Sequence, residues 1–225
     1  MIRGFSRLLA FFAVLMAAPL LHAQSFEAGT HYFLIEPAQP TNLAASGKVE
    51  VVEVFSYGCP ACFQFNPVAK KLQAALPPNA EFHYVHASFL PAEQWPLFQR
   101  AYYTAQILGV AEKAHDAMFT AIWDNGPLSI RETGTNKPVT RTIEDVAKFY
   151  ADFGAKPDEF VAVANSFGVN TKMRQADAYV KAHGVDSTPT IVVAGKYRLT
   201  GRSAGGADQL VELVKFLVQK ESAGR

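Results

Sequence analysis

The chain has 225 residues, 49% of them hydrophobic, with 21 Lys and Arg against 20 Asp and Glu and a formal net charge of +1. Such a balance offers no electrostatic grip on nucleic acid or on an anionic membrane, and suits a protein that meets many polypeptides through apolar and backbone contacts. Two cysteines are too few for the disulfide framework that staples small exported domains, and the length suits one domain or one domain with a large insertion.

In chain order, Arg3 and Arg7 precede an apolar run over 8–18 that Pro19 interrupts, and Ala23 offers a small residue before Gln24. A basic start, a short apolar core and a small exit residue describe a secretory signal peptide over 1–23, cleaved near Ala23. The run is shorter than the ~20 apolar residues of a spanning helix, and no cysteine at the exit could carry a lipid. Removing 23 residues leaves 202, with 19 basic and 20 acidic side chains.

Strand formers over 31–35, closed by Pro37 and Pro40, predict a short edge strand. The run over 48–57 is apolar on both alternating faces, as in a central strand covered on both sides, and it turns Glu53 into the core. From Pro60 the spacing becomes helical to 76, with Phe63, Val68, Leu72 and Leu76 as apolar markers; Pro60 suits a first turn and Pro67 should kink the helix. A second strand over 80–89 completes a crossover whose length implies parallel pairing. Helices follow over 93–108 and 111–123, then a polar loop over 124–140, a helix opened by Thr142 and running to about 153, and helices over 157–166 and 170–183. A hairpin over 190–199 and a helix over 208–218 close the chain. Strands on both sides of the helical block can share one sheet. The block over 91–183 is therefore expected to be an insertion into a domain formed by 24–90 and 184–225.

The two cysteines, Cys59 and Cys62, sit two residues apart at the junction of the central strand and the first helix. Zinc would need two more ligands. His83 and His86 are spaced more tightly than paired zinc histidines usually are, and an odd separation on a strand points them to opposite faces, so no metal is expected. A Cys59–Cys62 bridge closes too short a loop to stabilise the fold much. Thiol–disulfide exchange uses the spacing directly: Cys59 at a helix N-terminus is stabilised as thiolate, and Cys62, one turn on, can resolve a mixed disulfide. A buried Glu53 would have a raised pKa and could relay a proton to or from Cys62. Late in the chain, Thr188-Pro189 enters the hairpin as a constrained turn.

With Glu53-Val54-Phe55-Ser56-Tyr57-Gly58-Cys59-Pro60-Ala61-Cys62, the strand at 82–89, the helical block and Thr188-Pro189, the chain resembles the DsbA-type periplasmic disulfide oxidoreductases of the thioredoxin-fold family, over essentially the whole mature length. The resemblance implies an α/β thioredoxin fold with a large helical insertion between its strand-helix-strand half and its hairpin-helix half. It further implies that Pro189 is a cis-proline beside the cysteine pair, that the Thr188 backbone receives an extended substrate peptide, and that Glu53 is the family's acid. Pro60 and Ala61 stand where the motif tunes the thiols. The family usually has His where Ala61 stands. That His stabilises the thiolate of the reduced form, and a stabilised reduced form is what makes DsbA a strong oxidant. A less acidic Cys59 and a weaker oxidant are therefore expected.

The expected activity is a periplasmic thiol:disulfide oxidase, monomeric and without cofactor, acting on newly exported cysteine-containing polypeptides and reoxidised by a membrane partner of the DsbB type. A reductase or isomerase is the alternative within enzymes. Related isomerases carry an N-terminal dimerisation domain, for which the roughly 35 residues over 24–58 are too few. A chaperone-like peptide-binding module with incidental thiols is the alternative outside them. Phe89, Leu90 and Trp95 are expected in ordinary core rather than in a substrate groove.

Overall fold

A computed structural model describes residues 26–224, so the expected signal peptide lies outside the described residues. Strand β2 (Val49–Phe55) is buried at every position, as its two apolar faces require. It pairs in parallel with β3 (Ala80–His86) and antiparallel with β4 (Thr190–Val193). The five-stranded sheet has the order β1-β5-β4-β2-β3, with β1 (Phe33–Leu34) at one edge, antiparallel to β5 (Tyr197–Leu199). Expected strand order along the chain and pairing directions agree, although β1 keeps only two of its five expected residues and β3, expected over 80–89, ends three residues early at His86.

Two apolar cores cover the sheet. Val49 and Val51 pack with Leu72 of helix α1 (Pro60–Ala75) and with Leu210, Leu213 and Leu217 of the last helix, α8 (Ala207–Ala223). Val52 and Val54 pack instead with Phe98, Met118, Tyr150 and Phe160. These come from helices α2 (Trp95–Ile107), α3 (Ala111–Trp123), α4 (Ile143–Ala151) and α5 (Pro157–Ala164), which with α6 (Phe167–Ala182) stand between β3 and β4 in the chain. The helical block therefore shares a core with the sheet. Removing it would expose one whole apolar sheet face, which sheets of this kind keep covered.

Local chemistry explains where the elements begin and end. Thr142 and Asp145 form a reciprocal capping box at the start of α4. The 93–108 helix is divided, because Gln94 adopts φ 59° and separates a 3-10 turn, Pro91–Glu93, from α2. Helix α6 starts three residues before the expected position because Ser166 caps it, accepting the Val169 N–H. A four-residue helix α7 (Gly201–Ala204), with its own box between Thr200 and Ser203, was not expected. The β4–β5 turn has positive φ at both Ala194 and Gly195, the handedness that suits a tight hairpin. A Cβ at Gly195 would lie 2.2 Å from the Gln39 carbonyl oxygen, so only glycine fits there. Among the described residues no helix is long and apolar enough to cross a membrane.

Candidate active site

β2 delivers the chain to the site. After Phe55 it turns through Ser56, Tyr57 and Gly58, and Cys59 becomes the N-cap of α1, with Pro60 in the first turn where its missing N–H costs nothing. Cys59 Sγ accepts the Cys62 N–H at 3.3 Å. The helix thus opens on a sulfur rather than on the usual oxygen. Of the pair, Cys59 is the more open, at 5% exposure against 0% for Cys62. Both are free thiols, while Pro60 and Ala61 between them are exposed.

The two thiols are unequal. Cys59 is pushed down to about 6, first by the Cys62 side chain donating to its sulfur, then by Thr188 and by the backbone N–H groups of Cys62 and Ala61, against the opposing effect of burial. Burial, reinforced by the charge on Cys59, pushes Cys62 well above the ordinary thiol range. The proton shared by the pair therefore rests on Cys62. Ala61 contributes a backbone N–H and nothing from its side chain.

Thr188–Pro189 is a cis peptide, and the Thr188 carbonyl oxygen lies 3.6 Å from Cys59 Sγ. As a thiol, Cys59 donates to that carbonyl. As a thiolate it cannot; the Thr188 side chain is then among the groups that hold the Cys59 pKa down, while its buried hydroxyl makes no hydrogen bond with Cys59 as a thiol. Glu53, 2% exposed, faces Tyr84 on β3 and Ile191 on β4 in register, and its Oε2 has no hydrogen-bond partner. Burial first, then the Cys59 charge, raises its pKa to about 8, and the Glu53 charge in turn raises Cys62. The structure brings all the expected site residues, Glu53, Cys59, Pro60, Ala61, Cys62, Thr188 and Pro189, around one strand-helix junction.

Beside the pair runs a groove of about 620 Å³, lined among others by Ala61, Phe65, Val68, Thr188, Pro189 and Arg202. Val68, one of the apolar markers of α1, is half-buried and lines this groove. Phe65 follows Cys62 by three residues, so helical spacing from the second cysteine is the signal that points to it. Phe89, Leu90 and Trp95 lie elsewhere. Trp95 is buried against Phe89, with ring centroids 5.9 Å apart, while Leu90 is exposed and so departs from the core position expected of it. The Trp95 indole N–H donates to the Gly58 carbonyl at 3.2 Å, and a Cβ at Gly58 would lie 2.6 Å from Trp95 Cδ1. Gly58→Ala should therefore displace the indole and destabilise the protein by about 1–3 kcal/mol, measurable as a lower urea midpoint with an unchanged slope.

Known proteins are similar to this chain over most of its length. Residues 50–217 match the model of the DSBA-like thioredoxin domain. The thiol:disulfide interchange proteins DsbA of Pseudomonas aeruginosa and Pseudomonas syringae pv. tomato are 33% and 34% identical to the chain. They align with 89% and 94% of it, and with 88% and 94% of their own lengths. A crystal structure of Pseudomonas aeruginosa DsbA superposes with a TM-score of 0.74 at 32% identity, covering 90% of this chain and 97% of that one. Proteus mirabilis DsbA, solved with a non-covalently bound peptide PWATCDS, superposes with a TM-score of 0.67 at 25% identity, over 87% of this chain and 99% of that one. The α/β architecture is that of the thioredoxin fold, and the chain belongs to the DsbA-like family of thiol:disulfide oxidoreductases.

Proposed function

We propose that the protein works in the periplasm, as a monomer, as the dithiol oxidase that passes its Cys59–Cys62 disulfide to newly exported cysteine-containing polypeptides. The observation that carries this direction is the inequality of the thiols: an N-cap Cys59 held as thiolate favours the reduced form, and a favoured reduced form makes an oxidant. A substrate thiolate attacks Cys59 Sγ, the Cys59–Cys62 bond breaks, and the departing Cys62 sulfur takes a proton from the carboxyl of Glu53. A second substrate thiolate then attacks the substrate sulfur of the mixed disulfide, and Cys59 leaves as thiolate. The protein has gained two electrons and the substrate a disulfide. A membrane partner of the DsbB type restores the bridge.

The backbone of Thr188, next to Pro189, and the groove beyond Ala61 receive the substrate in an extended form; that Proteus mirabilis DsbA was solved with a bound cysteine-containing peptide supports peptide binding as such. In this reading 24–90 and 184–225 form the thioredoxin-like domain, 91–183 the insertion, and 1–23 a signal peptide removed near Ala23.

The test is the redox equilibrium of the Cys59–Cys62 pair against glutathione, read by alkylation and mass. An oxidase is reduced readily by millimolar glutathione. Resistance to reduction would make the protein a reductase instead. Ala61→His should move the Cys59 thiolate titration downward, by about one unit for each ~1.4 kcal/mol of added stabilisation, and the potential upward by about 30 mV. Thiolate absorbance reads the first change, and an unchanged or raised pKa would refute a tuning role for position 61.

A further inference from the structure

The segment that presents Cys59 is held by side chains that are far away in sequence. Every peptide group from the Tyr57 N–H to the Cys59 N–H has a partner. The Tyr57 N–H donates to His86 Nε2 at 3.1 Å, and the Tyr57 carbonyl accepts from the Trp123 indole at 2.8 Å. The Gly58 N–H donates to Ser56 Oγ at 3.1 Å, and the Gly58 carbonyl accepts from the Trp95 indole at 3.2 Å. The Cys59 N–H donates to the Ser56 carbonyl at 3.1 Å. Ser56 acts within the turn itself; the other three side chains reach it from the end of β3, from α2 and from α3.

His86 is built for this contact. It is fully buried, and its Nδ1 lies 2.8 Å from the Ala87 carbonyl. A carbonyl only accepts, so Nδ1 carries the proton and Nε2 keeps the lone pair that receives the Tyr57 N–H. Its own backbone is pinned too, the N–H on the Tyr103 hydroxyl at 3.3 Å and the carbonyl on Gln99 Nε2 at 2.9 Å. Burial pushes its pKa down to about 3, so the ring stays neutral and the acceptor persists throughout the working pH range. No other acceptor is bonded to the buried Tyr57 N–H, and a buried N–H without one is costly.

We propose that His86, Trp95 and Trp123 are positioning residues of the exchange reaction: by fixing the peptide groups of Tyr57 and Gly58 they hold Cys59 Sγ where the first turn of α1 receives its charge. The Sγ contact to the Cys62 N–H is a directional one, and a displacement of about 1 Å is enough to spoil alignment of this kind. The helical block thereby acts on the chemistry through two indole N–H groups, in addition to covering the sheet.

The experiment titrates the Cys59 thiolate by absorbance in reduced wild type, His86→Leu, His86→Gln and Trp123→Phe, with circular dichroism to establish folding and the rate of reduction by a cysteine peptide at pH 7. Folded His86→Leu should raise the thiolate pKa by about one unit and slow exchange roughly tenfold. His86→Gln, whose side-chain oxygen can accept the Tyr57 N–H, should stay within about threefold of wild type in rate. Trp123→Phe should shift the titration in the same direction by a smaller amount. An unchanged pKa in folded His86→Leu, or equal damage from Leu and Gln, would overturn the proposal, because packing alone would then explain the site. Should His86→Leu fail to fold, Trp123→Phe decides: a raised pKa supports the clamp and an unchanged one refutes it. The proposal rests on Cys59 being the exchanging thiol. Its titration requires no turnover, so a chain that titrates as expected yet oxidises no substrate refutes the oxidase reading alone.

Discussion

Cys59→Ala should abolish disulfide exchange, by at least about a thousandfold, whereas Cys62→Ala should keep the first bond-forming step and stall after it. The difference follows from the geometry. Cys59 is the sulfur at the helix N-cap, the more open of the two and the one facing the Thr188 carbonyl. Cys62 is fully buried, and its proton is held by burial and by the neighbouring charges. Without Cys62, a substrate disulfide is attacked by Cys59 and nothing resolves the product, so a covalent adduct accumulates that mass spectrometry detects and a reductant releases. The Cys59 titration should also move upward from about 6 in Cys62→Ala, because the largest cause of its acidity is the Cys62 side chain donating to the sulfur. A peptide-binding module with incidental thiols predicts something different. Cys59→Ala would leave its activity intact, and retention of function in that variant is the result that would remove the enzyme reading altogether.

What can be read from the residues divides along the distance over which they act. The strand-to-helix junction is legible because it is local: a two-faced apolar run, two cysteines at helical reach, and a proline suited to the first turn. The bounds expected for α3 are those observed, and α1 ends one residue early. Two of the errors fall where one side chain overrides a periodicity. Gln94 in the left-handed region splits a helix whose apolar pattern runs straight through it, and Ser166 starts α6 at Phe167, a residue 80% exposed that gives no periodic signal. Glu53 is legible as an inward-facing acid by strand alternation. Glu50 is not: it lies on the opposite face, is buried as deeply, and is held by the N–H groups of Asn42, Leu43 and Ala44. The contacts of His86, Trp95 and Trp123 with the turn cannot be foreseen, because they join positions 29, 37 and 66 residues apart and depend on how the helical block docks. In the sequence His86 is no more than a strand histidine beside His83. Its role becomes visible once the sheet places its ring under the Tyr57 amide.

Glu53→Gln should stabilise the protein at pH 8, leave it unchanged near pH 4, and slow the exchange reaction. The stability effect follows from proton linkage. The native carboxyl, raised to about 8 from an ordinary value of 4.5, keeps its proton where the unfolded chain has lost it. The unfolded state therefore binds fewer protons, and stability falls as pH rises from about 4.5 to about 8. For a fully buried group the penalty reaches about 3 kcal/mol at pH 7 and somewhat more above pH 8. Glutamine has no charge to bury and removes it. Urea unfolding at pH 4 and pH 8 checks this, and an equal midpoint for both proteins at pH 8 would contradict the burial of a protonated acid. Part of the raised pKa comes from the Cys59 thiolate, so the gain should be larger in the reduced protein than in the oxidised one, where that charge is absent. The same coupling explains how the residue could work in both directions of the exchange. With Cys59 engaged in a disulfide, only burial raises Glu53, and its carboxyl can give a proton to the departing Cys62 sulfur or accept one when Cys62 attacks. Glutamine can do neither, and the loss expected of an absent proton relay is about a hundredfold at neutral pH. The resolving step of a preformed mixed disulfide measures it directly. If that step keeps its wild-type rate in Glu53→Gln, the proton travels by another route and Glu53 is left with an effect on stability alone.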